Sequence, residues 1–239
     1  MTETTVTTTI EPTTVEPTTV EPTTATTDGP KYLILKNSVY HSGDTDVYRI
    51  ISLRDIKDEY GEVLIPVGCV GGFIESYQNL SQEGTCWVYD NAVVKHHAVV
   101  EDNAVVKNDS IVCDHAVVRG DAVVSGKSVL SDFAEITDRG CASDAILKEA
   151  AVVRDDASVL GSVVLGGSVI QDSGLVMKSS VIAEAIISGL VSCSLVEGCR
   201  TVLPTEQIHE NVNCQSPYTE FDNFGLYTQE INQLEVHLK

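Results

Sequence analysis

Two histidines carry the sharpest hint of chemistry in this chain. His97 and His115 stand eighteen positions apart, with His96 beside the first. Imidazole titrates near neutrality, so a histidine held against an acceptor hydroxyl or amine can take its proton as a general base. Asp102, Asp114, Asp132, Asp138 and Asp144 lie six residues, or multiples of six, apart. They could suggest calcium or paired-carboxylate catalysis, but the Gly-Gly-x-Gly-x-Asp nonapeptide of calcium-binding rolls is absent. Turn chemistry, in which Asp satisfies local backbone groups, accounts for them more simply. The seven cysteines form an odd set without a Cys-x-x-Cys pair or metal-ligand spacing. With no charged-then-apolar segment at the start, the expectation is reduced thiols, with Cys193 and Cys199 as small buried apolar residues. No Ser-His-Asp order, P-loop or dinucleotide-binding glycine motif appears in a supporting setting. A catalytic reading therefore rests on His97 and His115.

Composition narrows the field further. The chain has 239 residues and a net charge of −20, which disfavours nucleic-acid binding through a basic face. No apolar run approaches the roughly 20 residues needed to span a bilayer. Aromatic residues make up only 5 %, so a core must be built from aliphatic side chains, valine above all. With reduced thiols and no secretory signal, the expected location is the cytoplasm.

Four segments follow from the text of the chain. Residues 1–30 are rich in Thr, Glu and Pro and carry the repeated Glu-Pro-Thr-Thr motif, so the expectation is an extended, disordered arm. Residues 31–83 contain two strand-like runs, Tyr32 to Leu35 and Val47 to Leu53, and suggest a small β-rich N-terminal cap. Residues 84–200 hold a six-residue repeat. Its aliphatic position falls at 94, 100, 106, 112, 118, 124, 130 and 136, and its small position at Ala98, Ala104, Ser110, Ala116, Ala122, Ser128, Ala134 and Gly140. Residues 201–239 would cap the other end, with Phe221, Phe224, Tyr227, Ile231, Leu234 and Leu238 as its apolar side chains.

A period of six does not match the 3.6-residue helix and suits a short strand plus a turn. Within each strand the small and aliphatic residues alternate with one residue between them, so both point inward. No proline interrupts residues 67 to 203, as stacked ladders require. The frame slips by one near Ala142, after which Leu147, Val153, Val159 and Leu165 fit the new phase.

The aliphatic-x-x-x-small-x pattern resembles the hexapeptide repeat of left-handed parallel β-helices. Gly71-Gly72-Phe73-Ile74-Glu75, Asn79-Leu80-Ser81-Gln82-Glu83-Gly84 and Cys86 to Ala92 are similar to the opening of a group of phage and bacterial hexapeptide-repeat proteins. That group, the YdcK type, is called transferase or polymer-forming and has no agreed activity. The resemblance implies an all-β, single-stranded left-handed parallel β-helix with three hexads per coil. Val94, Val112 and Leu130 would then form one interior column, and Ala98, Ala116 and Ala134 another. The repeat region gives about six coils, roughly 30 Å of prism, with Trp87 plugging one end. Hexapeptide acyltransferases resemble the chain in fold and use a coil-borne histidine as general base. This implies acetyl-coenzyme A as a cofactor on that reading only, and neither a looped insertion nor a basic phosphate-binding cluster supports it.

The residue between the two inward positions faces outward, and here it is Val93, Val99, Val105, Ile111, Val117, Val123 and Val129. Stacked apolar rows of this extent mark contact surfaces. The favoured expectation is a non-catalytic, phage-encoded assembly protein, a virion component or interaction scaffold, with no cofactor and no metal. As a phage structural component its expected location would be the virion instead of the cytoplasm. It would oligomerise through those rows, as a trimer, and reach virion or host proteins through its arm. The alternatives are the trimeric acyltransferase and a protein that sequesters a small ligand between subunits.

Overall fold

The computed structural model describes residues 29–209. The arm expected over residues 1–30 lies almost wholly outside them, and so does most of the C-terminal cap with its aromatic and aliphatic residues from Phe221 onward. Among the described residues the chain is all-β, and no helix is long and apolar enough to cross a membrane.

Five strands precede the regular coils: β1 (Tyr32–Ser42), β2 (Thr45–Ser52), β3 (Ile56–Lys57), β4 (Val63–Ile65) and β5 (Val70–Ile74). From β5 onward the chain winds as a solenoid with three parallel sheets as its faces. The first face stacks Phe73-Ile74, Val93-Val94, Ile111-Val112, Val129-Leu130, Ile146-Leu147, Val163-Val164, Ser180–Ile182 and Leu195–Glu197. The second runs from Val99-Val100 to Thr201-Val202, and the third from Trp87-Val88 to Gln207–His209.

There are thus about eight turns, spaced over roughly 34 Å between the first and last layers, rather than six. Two causes account for the difference. The first turn is built inside the segment expected to be a separate cap, from β5, the Leu80 bridge to Val100 and Trp87-Val88. The last turn runs on past residue 200 to Gln207–His209.

Why these residues coil is visible in each hexad. The inward aliphatic and small residues are sealed: Val94, Ala98, Val100, Ala104, Val106 and Val112 are all 0 % exposed. Between faces the backbone turns through a left-handed residue at His96, Asp102, Asn108, Asp114, Gly120 and Gly126, and on through Asp132 and Asp138. These are the types that tolerate positive φ. The expected interior column is in register, Val94 on Val112 on Leu130.

Coil length is not constant. The first-face positions Val93, Ile111 and Val129 are eighteen apart, Ile146, Val163 and Ser180 follow at seventeen, and Leu195 at fifteen. The slip near Ala142 is real, and it recurs at the same corner of the next turns. The inward residue after Val159 is therefore Val164, 0 % exposed, while Leu165 is only half-buried. Leu165 does not occupy the interior column.

The hairpin β1–β2 extends the first sheet antiparallel to β5. Its base roofs the solenoid: Tyr32 meets Trp87 edge-on at 6.2 Å and donates its hydroxyl to the Leu80 carbonyl at 2.6 Å. Trp87 is fully buried there, where the sequence placed an end plug. A register shift between Ile34 and Val39 lets the tip depart from the plane of the base. The tip lies over the outside of the first face, where Val47, Phe73, Val93, Ile111 and Cys113 form a second buried cluster flanked by Tyr40.

Candidate functional site

Two surfaces correspond to the sequence expectations, a histidine-bearing corner and the outer valine rows. At the corner between the first and second faces, His97 and His115 do stack. Their ring centroids are 4.9 Å apart with planes 15° from parallel. Phe133 continues the column at 5.1 Å below His115 and is 66 % exposed. The eighteen-residue period that pairs the histidines also leads to Phe133, so this extension was readable in the sequence.

The stacked rings make no hydrogen bond among the described residues, so nothing orients either of them as a base. The oriented histidine is their neighbour. His96 places Nδ1 3.0 Å from Asp114 Oδ1 and Nε2 3.2 Å from Thr45 Oγ1, while its backbone N–H donates to Glu75 Oε2 at 2.5 Å. Burial pulls the Asp114 carboxyl upward, but the amide of Asp132, the His96 ring and the Cys113 thiol favour its ionised form and hold it below its ordinary value. Glu75, Ser76 and Gln78 complete an open cleft beside the three histidines. Parallel rings cannot both aim a lone pair at one ion lying between them. Among the described residues there is no cluster of three metal-ligating side chains.

The aspartates at the left-handed positions build ladders. Asp102 accepts from the amide of Gly120 at 3.1 Å, Asp138 from Asp155 at 3.3 Å, and Asp155 from Asp172 at 3.1 Å. Asp132 accepts from Glu149 at 3.1 Å, and Asp144 from Lys127 at 2.9 Å. Each carboxylate satisfies an amide of a neighbouring coil, 17 or 18 residues away, rather than the local backbone groups expected of it.

The outer rows differ from expectation on one face. Val93 and Ile111 are 0 % exposed and Val129 4 %, so these three are not available as oligomer contacts. For Val93 and Ile111 the cause is a shared buried cluster, which Val47 of the hairpin tip and Phe73 of β5 complete. Alternating strand patterns do not say which outward row another part of the same chain will cover. On the other two faces Val99, Val117, Val105 and Val123 are only half-buried. The second-face row continues through Glu135, Val152, Val169 and Ile186. Its single charge is met by Arg119 at 2.6 Å.

The cysteines divide. Cys69, Cys86, Cys113, Cys141 and Cys199 are free thiols, whereas Cys193 is disulfide-bonded and Cys199 is exposed. Fully reduced thiols, with Cys193 and Cys199 as buried apolar residues, are therefore not what the structure contains. Against known proteins, the chain matches no family model and no curated protein.

Proposed function

We propose that the chain is a non-catalytic assembly module that associates with further copies of itself through the second and third faces of its solenoid, as a trimer. One observation carries this reading. The chain's own hairpin seals Val93 and Ile111 on the first face, whereas Val99, Val117, Val105 and Val123 on the other two stay partly exposed. Two different open faces favour a heterologous contact, the kind that closes into a ring. The Thr-Glu-Pro arm would then space the assembly or connect it to other proteins, as in a virion, with no cofactor required.

The experiment is light scattering on the full-length protein. A trimer supports the proposal, and lysines at Val117 and Val152 should return it to a folded monomer. A wild-type monomer at micromolar concentration would sink it.

Acyl transfer is the second reading, favoured by the His96–Asp114 pair beside an open cleft. On this reading His96 takes the proton of an acceptor hydroxyl or amine, while His97 and His115 line the approach. Acetyl-coenzyme A turnover that disappears in His96→Ala would establish it, and no turnover above background would remove it.

A further inference from the structure

Lys31 and Cys86 form a buried pair that neither the assembly reading nor the acyl-transfer reading uses. Lys31 begins the N-terminal hairpin and Cys86 opens the third-face strand of the first turn, and both are 0 % exposed. The Lys31 Nζ lies 3.2 Å from the Cys86 sulfur, and it donates to the carbonyls of Cys86 at 3.1 Å and Glu83 at 2.9 Å. The Lys31 amide is held as well, by Gln82 Oε1 at 2.8 Å. An amine and a thiol are thus fixed in contact, with the loop carrying exposed Glu83 and Gly84 as the cover over them.

We propose that Lys31 and Cys86 are a modification site, closed by a peroxide-class oxidant into a covalent nitrogen–sulfur bond that staples the N-terminal hairpin to the first turn. The chemistry balances in two steps. Peroxide oxidises the Cys86 thiol to a sulfenic acid and is itself reduced to water. The lone pair of the Lys31 nitrogen then attacks the sulfur and forms the N–S bond. The S–O bond breaks, and the departing hydroxide takes a proton from nitrogen, giving a second water. A thiol reductant reverses the link: one thiol attacks sulfur and releases the amine, and a second regenerates Cys86 with formation of the reductant's disulfide.

Burial favours this course over simple over-oxidation. It holds the Lys31 amine below its usual range, against the opposing pull of Cys86, and so favours the neutral, nucleophilic form. The same burial pushes the Cys86 thiol up, which slows its oxidation, while the fixed amine waits within van der Waals distance of any sulfenic acid that forms.

The test uses the full-length protein, reduced, desalted, exposed to hydrogen peroxide under native conditions and digested for mass spectrometry. The expected product is a peptide pair joined through Lys31 and Cys86, lighter than the two peptides by two hydrogens, about 2 Da. Dithiothreitol should separate it, and Cys86→Ser should abolish it. In Lys31→Arg, whose guanidinium is a poor nucleophile, Cys86 should instead proceed to sulfinic acid. The proposal is overturned if exposed Cys199 oxidises in the wild type while Cys86 remains a free thiol or becomes a sulfinic acid without any joined pair. It is equally overturned if the joined pair forms as readily in urea, where no fold holds the two groups together.

Discussion

The Nζ of Lys95 lies 3.0 Å from the carbonyl oxygen of Ser42. Lys95 belongs to the second turn and is 2 % exposed, whereas Ser42 ends β1 at the hairpin tip. A buried side-chain amine needs an acceptor, and here the hairpin supplies it, so the contact shows that the tip is docked on the coil. With Val47 on Val93 and Ile111, it turns one outward face of the solenoid into interior.

Removing that packing should be felt by the whole domain. Val47→Ala takes methyl groups from a fully buried cluster and should cost about 2 kcal/mol, read as a lower midpoint in urea unfolding. An unchanged midpoint would mean the tip contributes nothing to the fold.

The three faces should respond differently to the same substitution. Lysine at Val117 or Val123 points from an open face and should leave the chain folded while weakening association. Lysine at Val93 must enter a sealed cluster and should prevent folding, measured by loss of the far-ultraviolet β signal. Equal behaviour at Val93 and Val117 would contradict the sealing of the first face.

Acid should destabilise the turns. The amide of Asp155 and the hydroxyl of Thr137 stabilise the ionised carboxyl of Asp138, which lies below its ordinary value, and Asp114 is lowered too. A group depressed in the folded state contributes stability that is complete above its unfolded value, about pH 4, and lost as pH falls through the folded value. The thermal midpoint should therefore be insensitive to these groups near neutrality and fall below about pH 4. In Asp138→Asn, which retains an acceptor oxygen, that fall should be shallower.

Two backbone positions make opposite predictions. Ala183 sits at φ 75°, where a Cβ is strained, so Ala183→Gly should stabilise by about 0.5–1 kcal/mol once the added freedom of the unfolded chain is counted. Gly189 lies on the shortest turn, where a Cβ would fall within 2.5 Å of the carbonyl oxygens of Leu203 and Glu206. Gly189→Ala should destabilise by about 1–3 kcal/mol. Thermal unfolding of both variants checks the pair.

The interior was legible because a period of six matches no helical face and suits a short strand closed by a turn, and Val94, Val112 and Leu130 fell where the spacing put them. Leu165 was misplaced because Val163, Val164 and Leu165 are all aliphatic, so hydrophobicity could not register a five-residue corner. The first turn was missed because its inward residues Leu80 and Val88 stand eight apart rather than six, although the burial of both is complete. At the corner, the stacking of His97 on His115 follows from spacing alone. The oriented His96 does not, since its partner Thr45 lies 51 residues away on a hairpin whose docking no local pattern encodes.

That docking sets an order of events during synthesis. The tip leaves the ribosome before the surface it needs, because Val47 must await Val93, Ile111 and Cys113. Each coil can settle on the one before it as it emerges, through contacts only a turn away. The hairpin cannot, and its apolar tip stays uncovered until the third turn exists. The hairpin, made first, is thus secured only after three turns have followed it, and the nascent chain is most exposed to wrong partners during that interval.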